Sequence, residues 1–427
     1  MTTYFLRRLL LVIPTFLGST ILVFTILQLS PGGPLEKTIQ ELQTGGGIFG
    51  GEGGATSSSI SGGTVLPESA MRELKRFYGF DKPGWQRYLM WLGIWPRGVK
   101  HRNFTLDPGI SHIEKRVGKR SGQLWKVDLR LEGDKLSVYE KDGTISSIWK
   151  TDIEKINDDG SKDGVIYQTE FSGILTGNLG KSYTYAMPVT EVMKPRFKIS
   201  IFFGLIGYFL TYIICIPLGI RKALQHGSGF DFASSVLIFI AYSIPGWALG
   251  GVFLVLFGGG SFWDIFPLGG FHSPTEIWDG LSLWGKFWDQ IHHMILPIIA
   301  WSITSFATMT ILMKNSLLEN LSQDYIRTAF AKGIAEKRVI WLHAFRNSII
   351  PIAAQIGWVI AAIIANSYLI ERVFNINGFG KMGMQAILDR DYPIMMGFLV
   401  IVVLIRLIAN IISDLAIASV DPRIRFK

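Results

Sequence analysis

Three short patterns in the 427-residue sequence carry residue types capable of enzyme chemistry. Gly180-Lys-Ser182 matches the end of a phosphate-binding loop, in which backbone N–H groups cradle phosphates and a lysine reaches them. Leu175 stands where that loop requires its first glycine, so the turn that forms the cradle is missing. Gly378-Phe-Gly-Lys-Met-Gly383 has the spacing of a dinucleotide-binding turn, yet it follows an apolar run and no strand-helix-strand unit surrounds it. It reads as a turn before a short helix, with glycines that permit close backbone packing. His292-His293 lacks a carboxylate or third histidine at metal-ligand spacing, which favours interfacial residues at the start of an apolar run. Cys215 is the only cysteine, excluding an intramolecular disulfide and a Cys-based zinc site. No nucleophile-base pair stands out, and the chain is read as a non-enzyme. Two other polar groups are more informative. Arg406, Asn410 and Asp414 recur at intervals of four inside an apolar run and share one helical face. They fit either a polar seam between helices or the lining of a substrate path, since charges in spans serve both ends. The second group is the basic stretch Asp324–Pro351, set between two apolar runs.

The elements that position these residues are membrane spans. Hydrophobic residues make up 48% of the chain and mean hydropathy is +0.32, with the apolar content gathered into long runs. A spanning helix needs about 20 such residues. Six stretches qualify: Leu9–Leu29, Ser200–Ile220, Ser234–Phe257, Ile295–Met313, Ile352–Ile370 and Met395–Ala416. Pro217, Pro245 and Pro297 interrupt three of them and permit kinks. The net charge of +9 is dispersed over short loops with no aromatic-basic patch, which argues against nucleic acid. Arg7 and Arg8, Arg221 and Lys222, Lys314 with the basic loop, and Arg423, Arg425 and Lys427 fall on alternate sides of the spans, as Lys and Arg of cytoplasmic loops do. Both termini are therefore expected in the cytoplasm, with about Pro31 to Lys198 outside. The long N-terminal run has no small-x-small cleavage pattern after it and reads as an uncleaved first span.

Within Asp324–Pro351, Gly333 separates two helical patterns, Asp324–Lys332 and Glu336–Asn347. A glycine there supplies the positive φ that ends a helix. Asp324 is expected as the N-cap of the first helix, and Glu336 places a negative charge in the first turn of the second, which has no capping side chain. Thr328-Ala-Phe-Ala-Lys-Gly333, Arg346-Asn347 and Pro351 resemble the loop of permease subunits of bacterial peptide-importing ABC transporters. The likeness extends through Ser30-Pro-Gly-Gly-Pro34, Tyr78-Gly-Phe-Asp81, Arg390-Asp-Tyr-Pro393 and Asp421-Pro-Arg-Ile424. Lys314-Asn-Ser and the Pro-Gly-Gly-Pro segment look most like Yej-type importers of peptides and microcin C. Phe330 departs from the usual basic residue of these permeases, and Ala335 from a common capping serine.

The resemblance implies an all-α polytopic inner-membrane permease with six transmembrane helices. In this family the loop docks on the ATPase, which implies coupling roles for Asp324, Tyr325, Arg327, Thr328, Ala329, Ala331, Lys332, Gly333 and Glu336. It further implies a second homologous permease, one or two cytoplasmic ATPase subunits that hold ATP and Mg, an extracytoplasmic solute-binding protein, surrounding membrane lipid, and no cofactor in this chain. A partner-independent secondary transporter or channel, a membrane scaffold, and a permease for nickel chelates or opines are the alternatives.

Four regions follow: residues 1–30 as the first span, 31–95 as an external linker with amphipathic helices, 96–171 as an inserted β-rich external domain, and 172–427 as a core with five spans and the coupling loop 314–350. The linker is the Gly/Ser-rich stretch Thr44–Thr64. Helical spacing of apolar residues marks Pro67–Leu92. In the insert, Val127, Leu129 and Leu131 alternate with Lys126, Asp128 and Arg130, and Asp142-Gly143 signals a hairpin.

Overall fold

The computed structural model describes residues 2–43, 71, 74–75, 79–120, 123–132, 135–157, 159–260, 262–365 and 368–420. The Thr44–Thr64 linker, most of the helix read at 67–78, Asp158 and the basic tail from Asp421 onward lie outside the described residues. The chain divides into two compact units, Met1–Pro34 with Lys181–Lys427, and Leu35–Gly180.

In the first unit, four helices among the described residues are long and apolar enough to cross a membrane: α1 (Thr2–Leu29), α2 (Val189–Leu224), α5 (Leu283–Leu321) and α9 (Tyr392–Val420). A fifth is counted if α3 (Gly229–Ser243) and α4 (Gly246–Phe257), an apolar pair bent by 92°, form one span. The bend falls where Pro245 interrupts the third run. Ile244 is extended at φ −98 and ψ 123, as residues before proline tend to be, and Pro245 has no N–H to continue α3. Pro217 and Pro297 instead sit inside the continuous helices α2 and α5.

Six continuous spans are not what the described residues form. In the fifth run, Ile352–Ile370, Ile350–Ala354 is separated from α7 (Ile356–Ala365) at Gln355, and Tyr368–Val373 is helical as well. At Gln355 the N–H bonds Ile352 O at 3.0 Å, a tight turn that does not hand the α-ladder on. Only 6% of the apolar window of α1 is buried, against 44% for α5, so α5 is the central post and α1 the outermost helix. α2 packs along α5, while α9 packs on α7 and α1. Phe203, Met294, Ala300, Phe374 and Ile376 make a core between α2, α5 and the segment after α7.

In the second unit six antiparallel strands run from Arg97 to Glu170: β1 (Arg97–Leu106), β2 (His112–Arg120), β3 (Gln123–Glu132), β4 (Lys135–Tyr139), β5 (Trp149–Ile156) and β6 (Lys162–Glu170). They form sheets of order β1-β6-β5 and β2-β3-β4. The alternation along β3 has the expected effect: Val127 and Leu129 are buried, while Arg130 points to water. With Phe104, Leu106, Val138, Trp149 and Ile166 they build one core shared by both sheets. Asp142-Gly143 does form a turn, with Gly143 at φ 79. Asp142 Oδ1 accepts from the Thr144 hydroxyl at 2.7 Å and the Thr144 N–H at 3.2 Å, and these bonds hold its carboxyl below the ordinary value. The ends of the strand-bearing segment meet: a Cβ added to Gly173 would lie 2.3 Å from Gly93 N.

Candidate functional site

The loop that follows α5 begins with α6 (Asp324–Ala331). Ile326 and Ala329, three apart, turn inward and are buried, leaving Asp324, Tyr325, Arg327, Thr328, Ala331 and Lys332 exposed. Its end matches the glycine signal. Gly333, at φ 73, donates its N–H to Phe330 O at 2.9 Å, and the Ile334 N–H reaches Ala329 O at 3.3 Å, a Schellman closure. A Cβ on Gly333 would meet nothing within 4 Å, so the backbone conformation alone favours glycine. The start corrects one expectation: Gln323 is the N-cap, and no side chain caps the helix. Asp324 lies in the first turn instead, where its charge suits the helix dipole, with Arg327 Nη1 at 3.4 Å. Ala329 lies on the buried face of α6, where it braces the helix. Beyond Gly333, Glu336 opens a second helical stretch after Ala335, which supplies no capping bond. Its middle, Val339–Ala344, is a π-turn, and α-helix resumes over Phe345–Ser348.

Both ends of this hairpin are fastened to α5. The Ser316 hydroxyl donates to Ser348 O at 2.9 Å, and the Ser348 hydroxyl donates back to Ser316 O at 3.3 Å. The Tyr325 hydroxyl donates to Asn320 Oδ1 at 2.7 Å. Between these anchors the surface is basic, with Arg327, Lys332, Lys337, Arg338 and Arg346 exposed beside only two acids, Asp324 and Glu336. The arrangement suits protein docking rather than bond chemistry.

Two residues before Ser316 on α5, Lys314 enters a cluster that sequence reasoning missed. Lys314 Nζ donates to the two carboxylate oxygens of Asp231 at 2.8 and 2.7 Å, and Lys222 Nζ lies 3.0 Å from Asp231 Oδ1. Lys222, its side chain 1% exposed, also donates to the Ser234 and Ser235 hydroxyls at 2.7 and 2.8 Å. The cluster thus ties α2, α3 and α5 together. In the sequence Lys222 serves as a topology marker, and Lys314 as a topology marker and part of the Lys314-Asn-Ser resemblance. The available signal was Asp231, the single carboxylate between Glu191 and Asp264.

On α9 the Arg-Asn-Asp chain does not form. Asp414 is buried and ion-paired with Arg8 of α1, whose Nη1 also donates to Asn410 O at 3.3 Å. Arg406 and Asn410 are exposed, and among the described residues no hydrogen bond or ion pair joins Arg406 to Asn410 or Asp414. A cation on the neighbouring helix outcompetes one two turns away on the same helix.

The three enzyme-like patterns have structural roles. The Ser182 hydroxyl donates to Asp391 Oδ2 at 2.5 Å, and the Thr184 N–H donates to the same oxygen at 3.0 Å. Asp391 Oδ1 meanwhile accepts the Ile394 N–H at 3.2 Å near the start of α9, so Ser182 is part of a latch. Gly378 precedes α8 (Phe379–Asp389), and a Cβ there would lie 2.2 Å from the carboxyl carbon of Glu371. That buried carboxylate accepts the Ser200 hydroxyl at 2.7 Å and the Lys381 N–H at 2.6 Å, at the positive end of α8. His292 Nε2 is 2.8 Å from Ile265 O and His293 Nδ1 is 2.9 Å from Asp289 O; no metal-binding group of three ligands occurs among the described residues. Cys215 is buried.

Apolar spans braced by buried ion pairs, with a basic hairpin bolted to the end of the central helix, define a polytopic membrane component built to engage a partner. The chain belongs to the family of binding-protein-dependent transport system inner membrane components, which matches residues 215–426 and so includes the hairpin and Arg406. It is 33% identical over 429 residues to the peptidoglycan transport system permease protein YejB of Agrobacterium fabrum, covering 100% of this chain and 99% of that protein. The inner membrane ABC transporter permease protein YejB of Escherichia coli O157:H7 is 32% identical over 443 residues, and the dipeptide transport system permease protein DppB of Escherichia coli strain K12 is 28% identical over 441 residues, both over the full length of each chain.

Proposed function

We propose that this chain is the permease subunit through which a binding-protein-dependent ABC importer moves short peptides or peptide-like compounds, including microcin C-like ones, into the cytoplasm. The observation that carries the reading is α6: an amphipathic helix closed at Gly333, seated by Ile326 and Ala329, with its polar face exposed. Such a face suits the groove of a cytoplasmic ATPase, with Asp324, Tyr325, Arg327, Thr328, Ala331, Lys332, Gly333 and Glu336 toward the partner. Full-length likeness to peptide permeases supports the cargo class. In this reading six membrane crossings are completed by the bent pair and the divided fifth run, with both termini cytoplasmic and the strands of 97–170 outside. A second homologous permease closes the pathway. One or two ATPase subunits hold ATP and Mg, an external solute-binding protein delivers cargo, and this chain itself needs no cofactor.

The hairpin is coupled to the spans through α5. A force on α6 reaches α5 through Ser316, Ser348 and Tyr325, and passes to α2 and α3 through Lys314 and Asp231. The test is uptake of a labelled dipeptide into proteoliposomes holding this chain, the second permease and the ATPase, with binding protein supplied outside. ATP-dependent uptake that vanishes when this chain is left out is the expected result. Uptake driven by an ion gradient without the ATPase would overturn the reading.

A further inference from the structure

Arg406 is the midpoint of the 29-residue helix α9, with the hairpin and the ion cluster far from it in sequence. At about 1.5 Å rise per residue, each end of the helix is roughly 21 Å away, too far for the guanidinium to snorkel to the interface. A charge at that depth requires water or a polar partner. The acid nearest to it on the same face, Asp414, is occupied by Arg8. Asn410, one turn on, is exposed beside it and carries no charge.

The surroundings distinguish two kinds of uncovered face. Where α9 meets α7 the contact is made by small residues: a Cβ on Gly357 would lie 2.3 Å from Ala409 O. That is how helices pack tightly in a membrane. The Arg406/Asn410 face has the opposite character, a long cation beside an amide, both exposed. An exposed cation and amide at that depth call for water or a polar partner.

We propose that Arg406 lines the translocation path and binds the carboxylate of the passing cargo, with Asn410 as a neutral hydrogen-bonding neighbour. The assignment rests on the reading of this chain as a peptide permease. A guanidinium matches a carboxylate with two parallel N–H···O bonds, which a lysine cannot reproduce. The net positive charge left on this face, once Asp414 and Arg8 neutralise each other, attracts the anionic end of a peptide.

Two measurements on the complete assembly test it. In the first, Cys215→Ala removes the one native cysteine and Arg406→Cys supplies a probe site. A membrane-impermeant, negatively charged methanethiosulfonate is expected to modify the new thiol, and dipeptide is expected to slow that modification. A thiol that does not react faces lipid or the second permease, and the proposal fails. In the second, initial uptake rates are compared for a dipeptide and its C-terminal amide, each presented at saturating binding protein. Arg406→Gln should lower uptake of the free acid about 10- to 100-fold relative to the amide, the loss of a charge-assisted contact. Arg406→Lys should retain part of the preference. An unchanged acid-to-amide ratio in Arg406→Gln would overturn the assignment, provided the wild-type assembly imports the acid. If the wild-type assembly imports neither peptide, the reading as a peptide permease fails instead, and the cysteine measurement still decides whether Arg406 faces water.

Discussion

Asp231 and Arg406 each place a charge in a largely apolar helix, and the chain treats them in opposite ways. Asp231 is surrounded: Lys222 and Lys314 approach from two other helices, Ser228 caps the turn beneath it, and Gly227 donates a backbone N–H at 3.2 Å. Arg406 has no such company among the described residues. Buried charge is tolerated when paired and hydrogen-bonded, so the first arrangement is internal bracing. The second waits for something outside the chain. The hairpin repeats the contrast over a few residues, with Ile326 and Ala329 sealed inward while Arg327 and Lys332 stand in solvent.

The largest effect is expected of Asp231→Leu. It strands Lys222, whose side chain is 1% exposed, and removes the tie between α2, α3 and α5. A cost of about 3–5 kcal/mol is expected for such an orphaned buried charge. Thermal unfolding in detergent should show it as a large drop in midpoint and yield; an unchanged midpoint would mean the cluster is not a brace. Gly333→Val comes next. Nothing stands within 4 Å of the new Cβ, so the cost is the left-handed backbone alone, about 1–2 kcal/mol, and is confined to the hairpin. The chain should still insert while ATPase retention falls, and Gly333→Asn should retain more of it because asparagine tolerates that conformation. Equal loss in both variants would remove φ as the cause.

Asp324→Ala tests a weaker bond. Its pair with Arg327 is fully exposed and contributes at most about 1 kcal/mol, so stability should hardly move while ATPase binding weakens. The smallest stability change belongs to Arg406→Gln, within about 0.5 kcal/mol for the isolated chain, as for surface positions. A fall comparable to that of Asp231→Leu would place Arg406 inside the bracing and erase the contrast.

What the sequence made legible was local. Gly333 announced its turn because only backbone conformation was at stake, and the alternation of Val127 and Leu129 announced a buried strand face because side-chain period reports burial directly. Long apolar runs marked where spans lie, but not that the third bends by 92° or that the fifth is divided at Gln355. Hydropathy sums over a window and is blind to a single lost ladder bond. Pairings across helices were hidden for a different reason. Asp414 finds Arg8 at the other end of the chain, and Ser182 finds Asp391, so no spacing rule links them. Interval-of-four reasoning instead joined Asp414 to Arg406, which the geometry does not do. Ala329 was grouped with its exposed neighbours because the resemblance marks the whole loop, whereas the helical period separates its two faces.

The exposed basic face of the hairpin is the proposed seat of a separate ATPase. The most direct measurement is affinity purification in mild detergent of the wild-type chain and of a chain carrying Arg327→Glu with Lys332→Glu, followed by identification of retained subunits. Both residues are exposed, so the double reversal should leave the spans folded. The wild-type chain is predicted to retain an ATPase and a second permease, and the reversed chain to keep the permease and lose the ATPase. Retention of the ATPase at the wild-type level by the reversed chain would contradict the account.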